Sequence, residues 1–157
     1  MHRFVLLLLA AACLAAMPER PLEGLRAAHP RLIALDSDIA RVRSLVKSDA
    51  RAGALYASVK ENADRILDAP PVVHRLIGPR LLDQSRRALD RIYTLALIYR
   101  VEGGRKYLDR AVKELRAAAA FPDWNPSHFL DVAEMTHAFA IGYDWLYDAL
   151  AHQRFSL

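Results

Sequence analysis

Cysteine is almost missing from this chain. Cys13 is the only one in 157 residues, and it lies in an apolar leader expected to be removed. The remaining chain then has no disulfide, no cysteine-ligated zinc and no cysteine nucleophile, so its stability must come from packing. Glycine is scarce as well, with six residues, and none of them forms a phosphate-cradling loop. No block of lysines or arginines occurs, and the formal charge is only +4. That balance excludes nucleic acid as the natural partner while tolerating an anionic ligand. Ser-centred nucleophile elbows and His-Glu-x-x-His metal motifs are missing too. So is an apolar run of the roughly 20 residues needed to span a bilayer.

The longest apolar run, Phe4 to Ala16, follows Met1-His2-Arg3 and ends at Pro18-Glu19-Arg20. A short positive start, an apolar stretch and small residues at its end are the marks of a secretory signal peptide, cleaved after Ala15 or Ala16. The alternatives are an uncleaved anchor or a lipoprotein lipidated at Cys13. Ala10 is a poor aliphatic residue for such a lipobox. The domain reading is residues 1–16 as signal peptide, 17–34 as an extended segment, and 35–157 as one helical domain exported to the periplasm or secreted.

Beyond the leader the hydrophobic spacing is helical throughout. Asp36 or Ser37 is expected to cap a helix carrying Ile39, Val42, Leu45 and Val46. Ser48-Asp49 opens a second helix to about Leu67, with Leu55, Val59, Ala63, Ile66 and Leu67 inward, and Pro70-Pro71 stops it. Val72 to Leu82 reads as an ordered loop. A third helix starts at Asp83 or Ser85, buries Leu89, Ile92, Leu95, Ala96 and Tyr99, and ends at Gly103-Gly104. Tyr107, Leu108, Ala111, Val112 and Leu115 mark a fourth, closed by Phe121-Pro122. Pro126 and Ser127 suit the start of a fifth. No segment reads as a strand, so the fold class is all-α, with consecutive helices paired as antiparallel hairpins.

The fifth helix is unusual. From Phe129 to Leu150 apolar residues occupy nearly every face, which predicts burial all round. Acids and histidines are nonetheless threaded through it, at a cost unless partnered or functional. Asp131, Glu134 and His137 follow one another at steps of three, and Glu134-Met-Thr-His137 is the Glu-x-x-His pair of di-iron bundles. No second pair occurs, so caps or cross-helix partners are the plainer expectation, with a metalloprotein built on Glu134 and His137 as a minor alternative. His128 stands near the helix start, where the dipole disfavours its charged form, leaving a neutral imidazole able to bind a ligand. Its plainer role is to hold the loop and seat Trp124. Trp124, Tyr143, Trp145 and Tyr147 offer aromatic faces for sugar rings, although at least two are expected in the core. Tyr143 and Tyr147 share a face, whereas Trp145 and Tyr147 do not. His29, before Pro30, looks incidental.

Several segments carry a resemblance. They are His29-Pro30-Arg31-Leu32; Arg75 to Leu82; Ala96-Leu-Ile-Tyr-Arg100 followed by Gly103; and Lys106-Tyr107-Leu108. Above all there are Trp124-Asn-Pro-Ser-His-Phe-Leu-Asp-Val-Ala-Glu-Met135 and Ile141-Gly-Tyr-Asp-Trp-Leu-Tyr-Asp148. Together they resemble the N-terminal region of heparinase II/III family polysaccharide lyases, over most of the chain after the leader. The resemblance implies an incomplete (α/α) toroid, with inner helices lining a cleft for an acidic polysaccharide and β-sandwich domains further on. It also implies β-elimination. The uronate carboxylate is neutralised by positioned donors, a tyrosine or histidine base takes the C5 proton, and an acid protonates the departing O4.

The neutralising, basic and acidic residues are then expected beyond Leu157, so the catalytic set is unknown here and the fragment is expected to be inactive. The substrate-binding candidates are His128, Trp124, Glu134 and Tyr143. No metal and no cofactor are implied. The partner is a uronate-containing polysaccharide or oligosaccharide, and the membrane is met only through the signal peptide. A second reading is a non-catalytic helical module that binds carbohydrate or peptide.

Overall fold

The computed structural model describes residues 23–152; the signal peptide expected over residues 1–16 lies outside the described residues. Among the described residues six helices follow one another: α1 Asp36–Ser48, α2 Ala50–Asp68, α3 Leu82–Glu102, α4 Arg105–Ala119, α5 Phe129–Trp145 and α6 Tyr147–His152. Among the described residues there is no strand, only a single bridge between Ile77 and Arg80. The all-α class follows.

Local chemistry places most of the boundaries. The Asp49 carboxylate accepts from the Ala52 N–H at 2.8 Å and caps α2. Pro70-Pro71 follows its last turn. Gly103 ends α3 in the left-handed conformation (φ 77°), which a side chain would disfavour. Three starts differ from expectation. For α1 the cap position is Leu35, whose N–H donates to the Asp38 carboxylate at 2.9 Å, so the acid reaches back from inside the helix. For α3 it is Leu81, with Ser85 buried in the first turns. For α5 it is His128, because Ser127 turns its hydroxyl to Asn125 Oδ1 instead. The helix expected to run to Leu150 breaks at Leu146 and resumes as α6.

The packing is a row of helical pairs. A single residue joins α1 to α2, and Gly103-Gly104 joins α3 to α4. The members α1, α3 and α5 lie side by side, while α2 and α4 pack against each other behind them. Helix α3 is the hub, in contact with α1, α2, α4 and α5. Two apolar clusters run along it. One gathers Ala63, Ile66, Leu95, Ile98, Tyr107, Ala111 and Ile141. The other joins Val72, Ala88, Ile92, Leu115, Met135 and Ala138.

Helix α5 is not buried all round. Asp131, Met135, Ala138, Ile141, Gly142, Asp144 and Trp145 are covered, whereas Phe129 is 78% and Tyr143 50% exposed. It stands at one end of the row, so no described helix covers its far side. Leu55, expected inward, is likewise 70% exposed on α2.

Close approach of α5 depends on Gly142. A Cβ there would stand 2.9 Å from Ile92 Cγ2 and 3.2 Å from Leu115 Cδ2, both in buried side chains with little room to move. Gly142→Val is expected to cost about 1–3 kcal/mol through overpacking, read as a lower urea midpoint with an unchanged slope.

Candidate functional site

Acids that would be costly to bury alone are buried here because each receives several donors. Asp144, on α5, accepts from the backbone N–H groups of Arg31 (2.8 Å) and Leu32 (2.8 Å) and lies 2.6 Å from His29 Nδ1. The neighbouring Trp145 indole donates to the Leu32 carbonyl at 2.9 Å. The His29 ring stacks on Tyr147 at 3.9 Å and meets Tyr143 edge-on. His29 is therefore not incidental. The His-Pro-Arg-Leu segment docks onto the Tyr-Asp-Trp segment more than a hundred residues away in sequence, a partnership with no signal in spacing.

Asp131 does the same at the other end of α5. It accepts from the Leu81 N–H and from Asn125 Nδ2, each at 2.7 Å, and lies 2.8 Å from His128 Nδ1. Burial alone would raise the carboxyls of Asp131 and Asp144. The hydrogen bonds outweigh burial and hold both below the ordinary aspartate value of 3.8. Glu114, fully buried on α4, accepts from the Val72 N–H and pairs with Arg91 and Arg110.

The four residues singled out from sequence separate into different places. Trp124 and Tyr143 line one apolar groove of about 370 Å³, with Leu115, Phe139, Ala140 and Leu150. The Trp124 indole N–H is already bonded to the Ala118 carbonyl at 3.1 Å, so the ring offers its face and not its donor. His128 is turned to the Asp131 carboxylate on its own helix, 2.8 Å away. Glu134 lies across the α3–α5 seam, 3.4 Å from Arg86 Nε. His137 sits on the same seam, with Nε2 2.8 Å from the Tyr93 hydroxyl. Asp131, Glu134 and His137 thus take separate partners, and among the described residues no group of histidines, cysteines and acids could hold a metal ion. Trp145 is core, beneath the Arg100 guanidinium.

Two further polar clusters were not foreseen. A cavity of about 230 Å³ opens beside His29, Asp36, Arg43, Arg100 and Tyr147. Its cations are spent on structure: Arg43 donates to the carbonyls of Arg100 and Val101, and Arg100 to Ala34 O and Asp36. Between α2 and α4, Lys60 donates to the Tyr107 hydroxyl, which donates to Asp64. The Tyr107 hydroxyl holds Lys60 above its ordinary value and Asp64 below it. Both networks bind chain to chain, whereas the groove and the α3–α5 seam face outward.

The two depressed aspartates carry a pH signature. A carboxyl whose folded value lies below its unfolded one stabilises the fold above the unfolded value and loses that contribution as pH falls through the folded value. The wild-type melting temperature is therefore expected to drop below about pH 4. Asp131→Asn and Asp144→Asn should each cost about 2–3 kcal/mol at neutral pH and flatten that acid limb, as followed by thermal melts across a pH series.

Comparison with known proteins adds no family: no protein-family model matches the chain, and no curated protein matches it either.

Proposed function

We propose that the chain is the N-terminal part of an exported polysaccharide lyase that cleaves uronate-containing acidic polysaccharides by β-elimination. In this reading the row of helical pairs is an incomplete (α/α) toroid. The observation that carries it is the uncovered apolar side of α5. Phe129 and Tyr143 stand exposed, and the groove beside Trp124 presents almost no polar surface. An apolar face of this kind is stable when further structure packs on it. A row of hairpins whose end helix asks for another neighbour is what a toroid interrupted after its third pair would present.

The resemblance in Trp124 to Met135 and Ile141 to Asp148 supports the same reading. Within these segments the described hydrogen bonds give Asp131 and Asp144 positioning roles, so chemistry falls to groups elsewhere. For elimination, a base must reach the C5 proton while donors neutralise the carboxylate. Neither His128, engaged with Asp131, nor Tyr143, edge-on to Tyr147, is placed as that base. The outward seam of Arg86, Glu134, Tyr93 and His137 holds groups suited to contact a carboxylated sugar. Trp124 and Tyr143 offer ring faces in the groove, which also serves the second reading of a carbohydrate-binding module.

Residues 17–157 alone are expected to produce no unsaturated uronate, followed as ultraviolet absorbance during incubation with alginate, chondroitin or heparan sulfate. The in-frame product extending past the Leu157 codon should produce it. Activity from the short chain, or a stop codon directly after Leu157, would reject the lyase-fragment reading, and the stop codon would favour the binding module.

A further inference from the structure

The segment from Val72 to Leu81 is a clamped projection. Its ends are fixed by Glu114 on the Val72 N–H and by Asp131 on the Leu81 N–H. Val73 donates to Gln84, and Asn125 Nδ2 holds the Pro79 carbonyl at 2.8 Å. At the tip, Ile77 and Arg80 exchange backbone hydrogen bonds around Gly78-Pro79. Gly78 has φ 58°, the left-handed geometry that suits glycine in such a turn. On this held turn Ile77 is 60% exposed and Leu76 42%, with Val73 at the base 53% exposed. A turn held by hydrogen bonds at its base and tip that keeps three aliphatic side chains together at the surface is the kind of apolar cluster that marks an interaction site.

The charges beside the tip specify that partner. Arg75 and Arg80 bracket Leu76 and Ile77, and neither guanidinium has an ion pair or hydrogen bond among the described residues. The acids nearby are engaged: Asp83 with Arg87 and Gln84, and Asp123 with the Asn125 N–H and His74. Free cations flanking exposed aliphatic side chains match an anionic lipid surface, with phosphates for the arginines and the acyl boundary for Leu76 and Ile77. A hydrophilic acidic polymer would satisfy the arginines and leave the aliphatic tip in water. We infer that the Leu76–Arg80 turn is a membrane-docking tip that seats the domain on anionic bilayers. This goes beyond attachment through the N-terminal leader.

The test follows the tip itself, so attachment through the leader does not obscure it. In the full chain with Cys13→Ser, an environment-sensitive fluorophore is placed at Ile77→Cys or, as control, at Leu55→Cys, which is still more exposed. With vesicles of phosphatidylcholine and phosphatidylglycerol, the label at 77 should shift to the blue and be quenched by doxyl lipids. The label at 55 should not respond, and pure phosphatidylcholine should leave both unchanged. Arg75→Ala and Arg80→Ala, with unchanged circular dichroism, should each weaken the response about fivefold. No response at 77, an equal response at both sites, or a response at 77 to uronate oligosaccharides and not to vesicles would overturn the proposal.

Discussion

The fold depends on the satisfaction of backbone donors in segments that are not helical. Helices meet their own hydrogen-bonding needs, but the strands of chain that cross over them do not. Three buried carboxylates solve this. Asp144 receives the N–H groups of Arg31 and Leu32, Glu114 that of Val72, and Asp131 that of Leu81. Each acid sits on a helix and holds a connecting segment that enters or leaves the row. Exchange of protein for water donors makes such bonds modest gains, whereas their loss strands several buried groups at once.

This arrangement explains why the polar residues of α5 coexist with its apolar character. Asp131 and Asp144 are the points where loop and N-terminal segment are fastened to it. Met135, Ala138, Ile141 and Gly142 lie between them against α3. The other side of the helix carries Phe129, Ala140 and Tyr143, with Trp124 beside it, and makes a surface. A helix apolar all round is therefore divided between a face used within the described domain and a face left for packing or binding.

Much of the fold was legible because its determinants are local. Asp49 as cap, the prolines at 70 and 71, and Gly103 after α3 each act within a few residues of themselves. The candidate site was legible in part. Trp124 and Tyr143 do come together, but Glu134 and His128 do not join them. The pattern Asp131, Glu134, His137 looked like one constellation along the chain. Yet a step of three residues advances only about 300° around a helix, about 60° short of a full turn each time. The acid points into the core, His137 reaches Tyr93 at the surface, and Glu134 lies between. Which acid was buried was also hidden, because burial depends on the neighbour supplied by another part of the chain.

The sequence by itself determined the all-helical class, the ends of α2 and α3 at Pro70-Pro71 and Gly103, and most of the inward face of α3 and α4. All of these follow from propensity, capping and period. Tertiary structure alone decided that His29 belongs with Asp144, that Leu81 belongs with Asp131, and that one side of α5 is open. Those outcomes rest on contacts between residues tens of positions or more apart, and on which helix ends the row. Neither is written in any local window of the chain.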